Sequence, residues 1–95
     1  MKTNKILDQI RADITPEMKV QMELSVGIAN RIYEVLEERN MTQKDLAKVL
    51  GKTETEVSRW LSGTHNLTMA TIAKISSALD VPIIQVTHEM KYISQ

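Results

Sequence analysis

An all-α fold, a bundle of about five helices, is what this 95-residue sequence predicts, and three observations carry the prediction. Apolar residues recur at spacings of three and four through most of the chain, and threonines stand where such stretches begin. The apolar content, 42% of residues, is almost wholly aliphatic and methionine, with Tyr33, Trp60 and Tyr92 as the aromatics. A chain of this length holds one small core, and with no cysteine that core must cohere by ordinary packing rather than disulfides or thiolate metal sites.

The first element is an arm, residues 1–23. Ile6, Leu7, Ile10 and Ile14 would form an amphipathic stripe over about residues 4–13 if the arm is helical. So short a helix is marginal alone and needs a surface to lie on, in its own domain or in a partner. Thr15, Pro16 and Glu17 then read as a helix start: an N-cap, a proline at the first helical position and an acid facing the dipole. A long helix is expected from about 17 to 39, with Asn40 as its stop and Gly27 as the place where it would bend or break.

Three short helices follow. Thr42 caps one running to about Val49, closed by Gly51, which can take a left-handed conformation. Thr53 with Glu56 fits the capping box and starts another through about Leu61, with Gly63 beyond it. Thr68 caps the last, where Ile72, Ile75 and Leu79 line one face and Asp80, Val81 and Pro82 end it. The tail, residues 82–95, departs from the helical pattern: Ile83, Ile84 and Val86 form a brief β-prone run that would lie extended, pairing with the same segment of a second chain or covering the core. Residues 24–81 therefore read as one domain between an arm and a tail.

Function is concentrated in residues 42–63, TQKDLAKVLGKTETEVSRWLSG. Leu46, Ala47 and Leu50 on one helix and Val57, Trp60 and Leu61 on the next supply the inner faces of a pair. Ala47 is small where the helices cross, and Gly51 permits the sharp turn, so the pair can open at the wide angle of a helix-turn-helix. The second helix then protrudes, with Thr53, Glu54, Thr55, Glu56, Ser58 and Arg59 outward. Trp60 shares a face with Val57 and Leu61, which makes it a core anchor rather than a stacking platform.

The segment resembles the helix-turn-helix of the Xre family, the lambdoid phage repressor and Cro type. TQ opens one helix, LA lies inside it, LG makes the turn, VSRW sits in the recognition helix and SG follows. NLTMATIAKISSALDV resembles that family's fourth helix, so the likeness covers about residues 24–81 and implies a lambda-repressor-like bundle. It implies that Gln43 meets a phosphate at a helix N-terminus, and that Thr53, Glu54, Thr55, Ser58 and Arg59 face the major groove of double-stranded DNA. It sets Glu56 nearer the rim, with Thr64, His65, Asn66 and Thr68 following the backbone; Lys44 and Lys52 complete the contact set. The chemistry agrees, because Arg59 can bond guanine bidentately, Glu54 can accept from cytosine N4 and threonine methyls can meet thymine methyls. Where that family would place a fifth amphipathic helix this chain has PIIQV, so the dimer contact is expected from PIIQV or from the long helix.

Charge tempers that reading. The chain carries 12 basic and 12 acidic side chains, and residues 42–63 hold four basic against three acidic. Random DNA should therefore bind weakly, and a selective homodimer, with two recognition helices about 34 Å apart, is favoured. No nucleophile–base pair, phosphate loop or set of metal ligands stands out, so neither an enzyme nor a cofactor is expected. His65 lacks a second ligand at metal spacing. No signal-peptide h-region and no long apolar span is visible, which makes the cytoplasm the expected compartment.

Small size, the N-terminal extension and an acidic recognition helix resemble HigA-type antitoxins, which repress their own operon and bind an RNA-cleaving toxin. On that resemblance Ile6, Ile10 and Ile14 would contact a toxin or a second copy; equally, the arm would pack on its own domain. The rival reading is a protein-interaction module that keeps the fold without using it on DNA.

Overall fold

The computed structural model describes residues 13–63 and 66–87. Ile6, Ile10, Thr64 and His65, most of the expected arm helix, and the tail beyond residue 87 lie outside the described residues. Among the described residues the helices are α1 (Pro16–Glu38), α2 (Gln43–Leu50), α3 (Glu54–Trp60) and α4 (Met69–Leu79), with no strand.

Each helix starts the same way. Thr15, Thr42, Thr53 and Thr68 take extended backbone angles, and the hydroxyl of each accepts the N–H three residues on, every time at 3.1 Å. This satisfies one of the amides that a helix start leaves without a partner. The stops differ. Asn40, Gly51 and Asp80 take left-handed φ of 54°, 67° and 55°, the region that glycine enters freely and that Asn and Asp tolerate best among the rest. Helix α1 runs unbroken through Gly27, so the expected weak point does not interrupt it.

The core is built by one stripe from each helix. Ile28, Ile32, Val35 and Leu36 of α1 meet Leu46 and Ala47 of α2, Val57 and Leu61 at α3, and Ile72, Ile75 and Leu79 of α4. Burying each large aliphatic side chain contributes about 1.5–3 kcal/mol. Trp60 and Leu50 are partly buried and pack against this cluster, so the tryptophan is a core residue with one open edge. The core begins only at Ile28: Met18, Val20, Met22, Leu24 and Val26, in the N-terminal half of α1, are all exposed.

Of the two fates expected for the β-prone run Ile83, Ile84 and Val86, pairing with a second chain or covering the core, Ile83 takes the second, and no strand forms among the described residues. The backbone bends at residues 83 and 84 instead of running as a strand. Burial and side-chain hydrogen bonds decide this path. Ile83 is drawn into the core, the Ser76 hydroxyl donates to the Val81 carbonyl, and Arg31 Nε donates to the Pro82 carbonyl at 3.2 Å.

Candidate nucleic-acid interface

The corner between α2 and α3 is fixed from both ends. Thr42 and Asp45 form a reciprocal capping box, in which the Thr42 N–H donates to Asp45 Oδ2 at 2.8 Å while the Thr42 hydroxyl accepts the Asp45 N–H. The Thr42 backbone N–H, and after it the Thr42 side chain, hold the Asp45 carboxyl below the usual carboxylate range. At the turn Gly51 is left-handed and Lys52 N–H donates to the Ala47 carbonyl at 2.9 Å. A second box starts α3: the Thr53 N–H donates to Glu56 Oε2 at 3.0 Å, and the Thr53 hydroxyl accepts the Glu56 N–H.

These constraints sort the outward residues into two groups. Glu54, Thr55, Ser58 and Arg59 are exposed and together line one shallow depression on the outer face of α3. Thr53 and Glu56 are bonded to each other's backbone, so they shape the helix that carries the other four. Arg59 lies in the last turn of α3, where a cation suits the negative end of the dipole. The Ser62 hydroxyl donates to the Arg59 carbonyl at 2.7 Å just beyond.

Gln43 opens α2 half-buried, with Lys44 exposed beside it and Lys52 exposed at the turn. Gln43 Nε2 donates to the Tyr33 hydroxyl at 3.3 Å, which holds the amide from α1. Periodicity gives no sign of this role for Tyr33, because its partner stands ten residues later on another helix. Asn66 Oδ1 accepts from Gln21 Nε2 at 3.1 Å on the α1 side, and Thr68 caps α4. Ile14 is exposed just ahead of α1.

Among the described residues no cluster of three or more His, Asp or Glu could hold a metal ion, and no helix is long and apolar enough to cross a membrane. No curated protein matches the chain. A family model described as helix-turn-helix matches residues 32–86, more than half of the chain. That span takes in the C-terminal part of α1, both capping boxes, the Gly51 turn, α4 and the Ile83 contact, and by this match the chain belongs to the Xre/Cro-type helix-turn-helix family of DNA-binding regulators.

Proposed function

We propose that the protein is a sequence-specific, dimeric autorepressor and the antitoxin of a toxin–antitoxin pair. The observation that carries the reading is the outer face of α3, where Glu54, Thr55, Ser58 and Arg59 stand together, exposed, on a helix held by its own capping box. Arg59 bonds guanine O6 and N7, Glu54 accepts from a cytosine amino group, and Thr55 and Ser58 meet neighbouring base edges. Gln43, Lys44 and Lys52 bind phosphates and set the register, with Thr53, Glu56, Thr64, His65, Asn66 and Thr68 along the margin of the contact. A carboxylate in the groove is repelled wherever it finds no amino group, which makes the module selective rather than merely adhesive. The arm, with Ile6, Ile10 and Ile14, is the element that contacts an RNA-cleaving toxin.

Fluorescence anisotropy with the DNA upstream of the protein's own gene, against a scrambled duplex, tests the repressor reading. A preference of about 1,000-fold or more is expected, at the lower end of specific recognition. Equal, weak binding to both duplexes would sink it and favour the protein-interaction module, for which the acidic Glu54 is the suggestive feature. Copurification of the tagged chain with the product of an adjacent gene, followed by an RNA-cleavage assay, tests the antitoxin part.

A further inference from the structure

A row of apolar side chains winds along the N-terminal half of α1 into the core. Pro16, Val20, Leu24 and Ile28 succeed one another every fourth residue, and at about 100° per residue each step turns about 40° toward the buried face, where Ile28 lies. Two depressions follow this row. The first is shallow, about 430 Å³, and is lined by Pro16, Glu17, Val20, Gln21 and Leu24. The second, about 320 Å³, shares Gln21 and Leu24 with the first and continues past Ile28 to Leu67, Met69 and Ile84. Together they make one apolar trough, and among the described residues nothing covers it: Val20, Leu24 and Met69 are 53%, 59% and 73% exposed.

We infer that the occupant of this trough is the chain's own arm: residues 4–13 fold back along α1 as an antiparallel helix and bury Ile6, Leu7 and Ile10 against Val20 and Leu24. The point where the arm joins is the first support. Helical backbone ends at Asp13 and resumes at Pro16, which leaves Ile14 and Thr15 between them, and antiparallel helix pairs are joined by two to five residues. Length agrees: ten helical residues extend about 15 Å, and the row from Pro16 to Ile28 about 18 Å. With the reversal at Ile14 and Thr15, residues whose numbers sum to about 29 stand level, so Ile10 meets Val20 and Ile6 meets Leu24 to within a residue. Charge then selects the face of α1. In an antiparallel pair, residues turned in the same sense from the two contact lines come together on one side. Arg11 stands about 100° beyond Ile10 and Glu17 about 60° beyond Val20, at nearly the same level, so the guanidinium meets a carboxylate at the edge of the trough. On the other apolar face, Met18, Met22 and Val26, that place belongs to Lys19, about 60° beyond Met22, and the arm would meet a like charge. An occupied trough is independent of the DNA reading. For the antitoxin reading it adds a condition: α1 holds the arm's stripe in the free chain, and a toxin must take it from there.

The chain has no cysteine, so thiols placed singly in the full chain report on the two faces of α1. With N-ethylmaleimide, and each rate taken relative to that of the unfolded chain, Val20→Cys should react about 10-fold more slowly than Met22→Cys, because the arm covers the first and not the second. Adding Ile6→Glu/Ile10→Glu should raise the Val20→Cys rate about 10-fold and leave Met22→Cys unchanged, since carboxylates resist entry into an apolar trough. Glu17→Arg should raise the Val20→Cys rate about 2- to 5-fold, and Arg11→Glu/Glu17→Arg should bring it back, which fixes the face and the register. The pair Ile10→Cys/Val20→Cys, oxidised at about 10 µM, should close a disulfide within one chain. Equal rates at Val20→Cys and Met22→Cys, protection of Met22→Cys instead, or a charge swap that fails to rescue overturns the inference. A disulfide that forms only between chains also overturns it and gives the trough to the arm of a second copy. Operator anisotropy reads the function separately: a wild type without sequence preference but with a protected Val20→Cys removes the DNA reading and keeps the occupied trough, whereas preference without protection does the reverse.

Discussion

Two carboxylates in the first turn of α3 do different jobs, and replacing each tests the division. Glu56 Oε2 accepts the Thr53 N–H at 3.0 Å, whereas Glu54 faces the open depression. In Glu56→Ala that bond is lost, which costs about 1–1.5 kcal/mol, and the better helix propensity of alanine returns about 0.4 kcal/mol. The net loss is therefore about 0.6–1.1 kcal/mol, or a drop in Tm of about 2–9 °C for a domain of this size. Glu54→Gln keeps the side chain's shape and loses only an exposed charge near the helix start, a few tenths of a kcal/mol. Its effect belongs in DNA recognition: preference at one base pair should fall by about 1–3 kcal/mol, roughly 5- to 150-fold. Thermal unfolding by circular dichroism and anisotropy over a panel of single-base operator variants read the two quantities separately. A larger Tm drop in Glu54→Gln than in Glu56→Ala, or a base-specific change confined to Glu56→Ala, would refute the assignment.

Other substitutions probe the platform and its margin. Leu46→Ala empties a site with no exposed surface between α2 and its neighbours, and should destabilise by about 3–5 kcal/mol, lowering Tm by at least about 12 °C in the same melting experiment. Asp45→Asn should lower Tm at neutral pH, and because the folded state holds the Asp45 carboxyl below its ordinary value of 3.8, that stabilisation exists above this value and is lost as pH falls through the folded one. Melts from about pH 7 to about pH 3 should therefore show the gap between variant and wild type constant at first and closing in acid. Tyr33→Phe frees the Gln43 amide and should weaken operator and scrambled DNA alike by a few-fold, with Tm nearly unchanged; an effect confined to the operator would count against a phosphate role for Gln43.

The parts legible in the sequence are those whose physics is local. A threonine with an acid three residues on marks a capping box whether or not the fold is known, and both Thr42–Asp45 and Thr53–Glu56 form one. Helical spacing likewise points Leu46, Val57 and Ile75 inward, because residues three and four apart share a face. Periodicity cannot distinguish a face that meets the core from one that meets solvent. Met18, Met22 and Leu24 continue the apolar pattern of Ile28 and Ile32, yet only the latter pair is buried. Contacts between distant segments are also illegible. β-branched residues at 83, 84 and 86 suggest a strand, but Arg31, which donates to the Pro82 carbonyl, stands on a helix 51 residues earlier. The outward set on α3, Glu54, Thr55, Ser58 and Arg59, follows from spacing; the Tyr33–Gln43 bond does not.

The four threonine caps have a consequence for measurement. Their hydroxyls are uncharged, no charged or polar residue is buried among the described residues, and the ion pair described, Arg31 with Glu34, is a surface contact within one helix. The carboxylates of the two capping boxes bond within 3.0 Å, far inside the screening distance of about 8 Å at physiological salt. Counterions therefore have little in this fold to weaken: apolar packing and caps persist as ionic strength rises, while attraction to phosphates is screened. Raising the salt concentration across a DNA titration should loosen the complex without loosening the protein. The slope of log affinity against log salt, about −0.9 for each phosphate neutralised, then counts contacts directly, with no correction for a changing population of folded chains.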